Sequence, residues 1–432
     1  LSILTAAAGT ALVTDDVLAQ QCYQNQNQCF AFAPRPEAVG PDDRLATDAL
    51  QLRSNQLKIT GDIRLRLRAA ETPGDEPYNA NDQQATRARI QFDFQANEKV
   101  RAFAEINYSE TWAGSGSYSD AQAGPANSPN FNGVSQAYFE TDDVLGFGEK
   151  LRVGRSDYFL ANGYILGSCD FLQRPATFTG AWLSRNFGGH EFEVFVLDDY
   201  GPLQSTNDGT RYWGATAKIK ICNRNEQTEA AADAEKTEDA EVAEPAGGLL
   251  ESIRPYILKG THDGFVESMD TWWGIEGNGT LPADIKWNAE FAHRVRAMNE
   301  DISAFRVRVR RNFELFNGVF DGASLVYTES EGALHINPGD FNSAGLLHQY
   351  GGAWRSDLTT TQLGLEFNPV YDINLDFNLL HLNRRDASPQ QGEYEFDVLA
   401  SAQLPSGVWA TAAYGIDDER RQVAYVQMQV FF

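Results

Sequence analysis

The sequence predicts an all-β fold, an antiparallel up-and-down barrel of about 18 strands that crosses a membrane. Three observations support this prediction. Apolar and polar residues alternate in short segments from Leu57 to Phe432, the breaks between the segments alternate between long and short, and the last segment ends on an aromatic residue. A soluble β-sandwich has no reason to alternate its loop lengths in this way.

The segment at 57–70, "LKITGDIRLRLRAA", shows the period of two most clearly. Because successive side chains of a strand point to opposite faces, the segment has an apolar face and a charged face. The apolar face carries Leu57, Ile59, Ile63, Leu65, Leu67 and Ala69. Similar segments follow at about 85–96, 100–111, 134–141, 150–157, 177–185, 190–198, 211–222, 252–261, 269–277, 285–294, 302–313, 320–329, 352–367, 373–383, 393–404, 408–416 and 422–432.

Composition excludes two other classes of protein. The chain has 35 Lys and Arg against 60 Asp and Glu, a formal charge of -25, so nucleic acid is not expected as a partner. No run reaches the roughly 18 apolar residues that a transmembrane helix needs. A membrane barrel stays possible, because only every second side chain of its strands faces lipid.

The breaks are wired like those of bacterial outer-membrane barrels, with long loops outside and short turns inside. Residues 112–133 and 158–176 are long and polar, whereas residues 97–100, 186–189 and 405–407 form tight turns. An even strand count then places both termini in the periplasm. One break violates the rule, since an acidic low-complexity stretch at 223–250 replaces a short turn. We interpret it as a solvated periplasmic insert, or alternatively as a tether or plug that folds back towards the lumen.

Aromatic residues crowd the ends of the predicted strands, as expected for the girdles that lie at lipid headgroup depth. They are Tyr108, Trp112, Trp182, Tyr212, Trp213, Trp272, Trp273, Trp287 and Trp409. The last segment, "VAYVQMQVFF", resembles the terminal strand that outer-membrane barrels present to their assembly machinery, which is therefore an expected partner beside the lipid bilayer.

The N-terminal part is divided as follows. Residues 1–19 resemble the end of a secretory signal peptide with cleavage after Ala19, or else form a disordered terminus; residues 20–55 are a periplasmic segment, and 56–432 the barrel. Cys22 and Cys29 lie close together and are expected to form a local disulfide. Cys169 and Cys222 are expected to stay unpaired with each other, because they belong to opposite rims. The six histidines show no metal-binding spacing, and no cofactor or metal is predicted.

Alternation also assigns a set of basic residues to the lumen. The guanidinium fork of arginine matches carboxylate and phosphate groups, so a ladder of such side chains favours the passage of anions. Alternatively, these side chains pair with the lumenal carboxylates of Asp62, Asp93, Glu105 and Glu290 and rigidify the barrel. An acidic wall of Asp376, Glu393, Glu395 and Asp397 would make the lumen bipolar. The predicted basic lining is Arg64, Arg66, Arg68, Arg87, Arg89, Arg101, Arg152, Arg155, Lys218, Lys220, Arg306, Arg308 and Arg310.

The stretch "LRVGRSDYFLANGYILGSCDFLQRPATFTGAWL" at 151–183 resembles the alginate-export family of outer-membrane barrels. The matching positions are Gly154-Arg155, Leu166-Gly167-Ser168, Asp170, Thr177, Phe178 and Gly180, and the openings of the first two segments are also similar. The sequence departs from the family pattern at Ser156, Phe171, Ala176 and Thr179. The resemblance implies a place in the outer membrane of a Gram-negative-type bacterium and an acidic polysaccharide as the transported solute.

Together these observations predict a channel that passes anionic solutes or an acidic polysaccharide. A general diffusion porin without a specific substrate and an occluded structural barrel are the alternatives. An outer-membrane enzyme would need a nucleophile and base on neighbouring strands. Asp198, Asp199 and His381 are available, but their spacing does not single them out, and no enzymatic activity is predicted.

Overall fold

The computed structural model describes residues 50–52, 56–71, 83–113, 131–168, 177–200, 211–221, 248–262, 265–296, 300–316, 319–332, 345–347, 357–368, 373–384 and 393–432. Within these ranges, no helix is long and apolar enough to cross a membrane. The signal-like residues 1–19, all four cysteines and residues 223–247 of the acidic insert lie outside the described residues. The predictions made for them stay predictions.

Eighteen strands form a closed antiparallel barrel, which confirms the predicted fold class. Each strand pairs with its neighbours in sequence, and the last strand pairs with the first strand of the barrel. A short strand, β1 (Leu50–Leu52), precedes the ring. The barrel strands are β2 (Leu57–Glu71), β3 (Gln83–Asn97), β4 (Val100–Ala113), β5 (Phe131–Asp142), β6 (Glu149–Ser156), β7 (Thr177–Phe187), β8 (His190–Tyr200), β9 (Arg211–Lys220), β10 (Ser252–His262), β11 (Phe265–Leu281), β12 (Ile285–Val295), β13 (Ile302–Leu315), β14 (Phe320–Ser330), β15 (Leu358–Phe367), β16 (Ile373–Arg384), β17 (Tyr394–Gln403), β18 (Trp409–Asp417) and β19 (Gln422–Phe431).

Strand β1 was not predicted and ties part of the 20–55 segment to the barrel. It pairs antiparallel with β2, where Leu50 lies opposite Ile59 and Leu52 lies opposite Leu57. The pairing of β19 with β2 runs from Glu71 to Asp62 and is followed by backbone hydrogen bonds between Phe432 and Gly61, so residues 57–60 of β2 would otherwise be an open sheet edge. An open edge leaves backbone N–H and C=O groups without partners, and β1 supplies them.

The alternation of faces gives the barrel an apolar outer surface. On β2, Ile63, Leu65 and Leu67 are 43–51% exposed, whereas Asp62 and Arg64, the residues on either side of Ile63, are at most 1% exposed. A soluble protein would bury the apolar face instead. This arrangement suits a barrel whose outer face contacts lipid.

The two rims of the barrel differ in their connections. We call the rim that carries residues 98–99, 188–189 and 282–284 the short-turn rim, and the rim that carries 157–176 and 331–357 the long-loop rim. The predicted alternation holds only in part, because the connections at 263–264, 296–301 and 418–421 on the long-loop rim are also short. The long break at 221–251 lies on the short-turn rim, as the sequence indicated.

Three of the predicted girdle residues face inward instead. Trp182, Tyr212 and Trp272 are only 4–6% exposed and belong to an apolar cluster inside the barrel. Trp112, Trp213 and Trp273 are 44–64% exposed on the outer side, as a girdle requires. The inward rings are explained by a segment of the long-loop rim that packs on them, which alternation within a strand does not reveal.

Barrel closure depends on close contact between Gly61 and Phe432. The Phe432 N–H donates to the Gly61 carbonyl oxygen at 3.0 Å, and the Gly61 N–H donates to the Phe432 carbonyl oxygen at 2.7 Å. A Cβ atom at Gly61 would lie 2.3 Å from the carbonyl oxygen of Arg89 and 2.8 Å from the Phe432 ring. Only glycine therefore fits here without displacing the backbone.

We expect Gly61→Ala to lower the free energy of unfolding of the barrel by about 1–3 kcal/mol, because an added methyl group overpacks the closing seam. Denaturant unfolding of barrels refolded into lipid vesicles measures this difference. Gly133→Ala is the matched control, since its Cβ atom would meet only the Phe131 ring, at 3.4 Å. Equal stability of the two variants would contradict a tight seam at Gly61.

Candidate functional site

The interior of the barrel is partly filled by residues 157–168, which follow β6 in the connection to β7 and fold inward from the long-loop rim. Leu160, Ile165 and Leu166 are fully buried against inward side chains of β7–β13, including Phe195, Leu197 and Leu258. The sequence "YFLANGYIL" lacks the alternation of a strand, and its apolar residues can be buried only against this inner cluster. The segment therefore covers one part of the inner wall.

A tight turn gives this inward segment its shape. The Tyr164 N–H donates to the side-chain oxygen of Asn162 at 3.0 Å, and Gly163 has a φ of 79°. The Asn162 amide also donates to the Asn288 side-chain oxygen on β12 at 3.1 Å. The Tyr164 ring centroid lies 5.9 Å from the guanidinium carbon of Arg306 on β13. The tip of the segment thus lies against the β12–β13 wall.

A second segment, residues 345–347 of the β14–β15 connection, also lies inside the barrel. Leu346 is fully buried in a cluster with inward residues of β15–β19. Its backbone and that of Leu347 contact β17 through the carboxylates of Glu395 and Asp397. The acidic wall predicted from the sequence is therefore covered at these two positions, where both carboxylates are at most 1% exposed.

Most of the predicted basic residues fall into two groups, and the first is a buried network on β2 and β3. Asp62 lies at its centre, accepting from Arg89 at 2.6 Å, from Arg87 at 3.3 Å and from Gln429 at 3.1 Å. Arg66 donates to Gln427 at 2.7 Å. Burial is nearly complete, with exposures of at most 8% for Arg64, Arg66, Arg68, Arg87 and Arg89. This group matches the structural alternative, in which arginine pairs with carboxylate and rigidifies the wall.

The second group is partly exposed to the lumen. Arg101 binds both oxygens of Asp93 at 2.7 and 2.9 Å, and the Arg152 side chain lies 2.9 Å from Glu140. Arg310 donates to Glu366 at 2.6 Å. The exposed side-chain fractions are 32% for Arg101, 33% for Arg152 and 28% for Arg310, and Arg308 is also partly exposed. These side chains lie towards the short-turn rim, as do Lys218 and Lys220 at the end of β9.

Arg155 is the one basic residue that was assigned to the wrong face. The strand register places it opposite Ala137 on β5 and Thr179 on β7, both on the outer side of the wall. Its Nε donates to the Thr179 hydroxyl at 3.2 Å. Along β6 the side chains of Arg152 and Ser156 point inward, so the side chain of Arg155 points outward.

Two of the predicted carboxylate partners accept hydrogen bonds from neutral side chains. Glu105 accepts from Gln91 at 2.8 Å and from Ser135 at 2.6 Å. Glu290 accepts from the Tyr256 hydroxyl at 2.8 Å. Alternation predicted the face of these side chains correctly but could not select the partner, which depends on the register between strands.

The sequence interpretation missed two inward arginines. Arg254 on β10 lies 3.4 Å from Glu191, and Arg294 on β12 lies over the Trp272 ring at 4.6 Å and donates to Asp270 at 3.0 Å. The phase of each strand could have found both. Arg294 is four residues from Glu290, which was correctly assigned to the lumen, and residues separated by an even number share a face.

The residues considered for an enzymatic site do not meet. Asp198 on β8 binds Arg211 at 2.7 Å, and the His381 ring on β16 stacks on Tyr394 with centroids 5.0 Å apart. These two strands are eight places apart in the ring. The geometry gives Asp198 and His381 no shared role in nucleophilic chemistry.

Comparison with solved structures shows that the chain shares its fold with outer-membrane barrels. The structure of Pseudomonas aeruginosa OccK2 (OpdF) in complex with glucuronate has a TM-score of 0.56 at 12% identity, covering 88% of this chain and 96% of that chain. Pseudomonas aeruginosa OpdO has a TM-score of 0.57 at 13% identity, covering 87% and 96%. Acinetobacter baumannii OccAB1 has 0.54 at 9%, covering 90% and 99%. These neighbours are Gram-negative outer-membrane porins, which are not enzymes.

No protein-family model matches the chain, and no curated protein sequence matches it. At identities of 9–13%, the structural likeness demonstrates the fold. The resemblance of residues 151–183 to the alginate-export family is therefore an interpretation of the sequence alone, and the solved structures named above do not specifically support that family.

We expect Asp62→Ala to destabilise the barrel by about 3–5 kcal/mol, because it leaves the guanidinium groups of Arg87 and Arg89 buried without their shared carboxylate. The free energy of unfolding in lipid vesicles measures this effect. The control is Lys99→Ala at the short-turn rim, where the Lys99 ammonium group donates to Asp143 at 2.7 Å. That pair is exposed to solvent, so its loss should change stability little. Similar losses in both variants would refute the central role of Asp62.

Proposed function

We propose that this protein is an outer-membrane channel that passes small anionic solutes, and carboxylates in particular. An apolar outer face and a ring without open strand edges suit the barrel to a lipid bilayer, where no water can satisfy a free backbone group. The localisation in the proposal is the outer membrane of a Gram-negative-type bacterium, as for the porins that share the fold.

The observation that carries the proposal is the position of the partly exposed arginines on opposed walls. Arg101 lies on β4 and Arg308 and Arg310 lie on β13, nine places apart in a ring of 18 strands and therefore across the lumen. Arg152 on β6 extends the first wall. A solute that crosses this region passes between two sets of guanidinium groups.

Ion pairing within the wall is compatible with solute binding. A guanidinium group has five N–H donors, and the carboxylate of Asp93 engages two of those of Arg101. The remaining donors can bind a second carboxylate, while the wall carboxylate limits the strength of that binding. Sites of this kind are strong enough to admit an anion and weak enough to release it.

Two inward segments favour small solutes over polymers. Residues 157–168 and 345–347 occupy part of the space that a barrel of 18 strands encloses. OccK2 was crystallised in complex with glucuronate, a small carboxylate, and supports this size class. The alginate-export resemblance instead implies an acidic polysaccharide as the solute, and this is the competing form of the same proposal. A general diffusion porin or an occluded barrel would contradict the proposal.

The same proposal includes the orientation of the chain in the membrane. Both termini and the insert at 223–250 lie on the periplasmic side, residues 1–19 are the remnant of an export signal, and the barrel assembly machinery recognises the strand that ends at Phe432. The start of β2 and the end of β19 lie on the short-turn rim, which supports this orientation. Protease accessibility of the insert in intact and permeabilised cells tests it.

We expect the purified protein to conduct in planar bilayers with a preference for anions, and the double variant Arg152→Gln and Arg308→Gln to lose most of that preference. Removing two guanidinium groups from opposed walls weakens the positive field across the lumen. Reversal potentials in a salt gradient measure the permeability ratio. Arg155→Gln, which removes a positive charge from the outer face, is the matched control and should leave the ratio unchanged.

Blocking experiments separate the possible substrates. Glucuronate should reduce the single-channel current of the native protein at lower concentration than an uncharged hexose, whereas oligouronates that block more strongly than the monomer would favour polysaccharide. A native protein that conducts without anion preference would make the channel a general diffusion porin. A native protein that never conducts would refute transport.

A further inference from the structure

Two buried carboxylates of β17 hold the inward segment 345–347 by its backbone. The Leu346 N–H donates to Asp397 Oδ2 at 3.2 Å, and the Leu347 N–H donates to Glu395 Oε1 at 2.8 Å. Glu395 and Asp397 are two residues apart, so they share the inward face of their strand. The two contacts fix consecutive peptide groups of the segment.

The segment 345–347 packs tightly against the inner wall of the barrel. Leu346 is fully buried against inward residues of the neighbouring strands. A Cβ atom at Gly415 of β18 would lie 2.9 Å from the Leu346 Cβ, and a Cβ atom at Gly345, where φ is 77°, would lie 2.4 Å from the Glu395 carboxyl carbon. Glycine at these two positions lets the segment approach the wall closely.

The pair of carboxylates is costly unless the segment is present. Two neighbouring carboxylates repel each other when both are ionised, and each loses its hydration when it is buried. The acidic residue opposite Glu395 is Asp417 of β18, which is engaged by Arg421 at 2.6 Å. The hydrogen bonds from Leu346 and Leu347 therefore connect the acidic pair to the loop backbone. The segment stabilises the buried carboxylates, and the carboxylates hold the segment in place.

We propose that Glu395 and Asp397 are positioning residues that hold residues 345–347 inside the barrel and that the segment, in return, keeps these carboxylates out of the path of an anionic solute. The inference rests on the proposed channel function, which it deepens. Two properties follow from a single contact, because the seated segment narrows the lumen and also covers two acidic groups, which ionise once they are exposed to water. Its release would widen the channel and weaken its preference for anions.

Hydrogen exchange tests the contact independently of transport. In the variant Glu395→Gln with Asp397→Asn, the amides of Leu346 and Leu347 should exchange faster than in the native protein, because hydrogen bonds to a neutral amide oxygen are weaker than those to a carboxylate. Asp143→Asn, which removes a carboxylate at the short-turn rim, is the control and should not change this exchange. Unchanged exchange in the double variant, with the barrel folded by circular dichroism, would overturn the proposal.

Channel recordings test the consequence. Leu346→Asn places a polar side chain in the apolar cluster and should raise the single-channel conductance while lowering the permeability ratio of anions to cations. Combining Leu346→Asn with Glu395→Gln and Asp397→Asn should keep the raised conductance and restore the ratio, since the uncovered side chains are then neutral. If Leu346→Asn alters neither quantity in a conducting protein, the segment has no part in setting the pore.

The two proposals fail in different ways. A native protein without conductance refutes the proposed channel function, while the exchange rates of Leu346 and Leu347 still decide whether the acidic pair holds the segment. Conversely, an anion-selective native channel with the same exchange in the double variant keeps the channel and removes the positioning role of Glu395 and Asp397.

Discussion

The whole structure depends on the closure of the sheet between β19 and β2. In a bilayer, every backbone N–H and C=O group needs a partner within the protein, and a sheet achieves this only when its last strand pairs with its first. Here the pairing runs from Gln422 opposite Glu71 to Phe431 opposite Asp62, and β1 continues it along the start of β2. The glycine at position 61 lets the terminal ring of Phe432 pack on this seam.

The closed barrel has apolar residues on its outer face and charged residues in its interior, the reverse of a soluble protein. Lipid outside favours apolar side chains on the outer face, so the charged residues of each strand are brought together in the interior. There they cannot remain isolated, because an unpaired buried charge is expensive. The network around Asp62 is one solution, and the cover over Glu395 and Asp397 by backbone amides is another. The basic residues left partly exposed towards the short-turn rim are the ones that the proposed channel offers to a solute.

Much of the barrel could be predicted because the rule that forms it is local. A period of two identifies a strand and assigns its faces, so the inward positions of Arg64, Arg101 and Arg308 followed from single segments. The phase could not be assigned where the pattern is interrupted. Gly154, with a φ of 135°, precedes Arg155, and only the register with β5 and β7 shows that Arg155 points outward.

The sequence by itself determined the barrel, the number of its strands, and the separation of an apolar outer face from a charged inner one, because all three depend on residues adjacent in the chain. Tertiary structure alone decided which arginines are buried and which face the lumen, and which loops enter the barrel. Those outcomes depend on contacts between residues far apart in sequence, such as Arg66 with Gln427, Asn162 with Asn288, and Leu346 with Asp397. No local pattern encodes such a contact, since the sequence around one residue does not specify a partner that is far away in the chain.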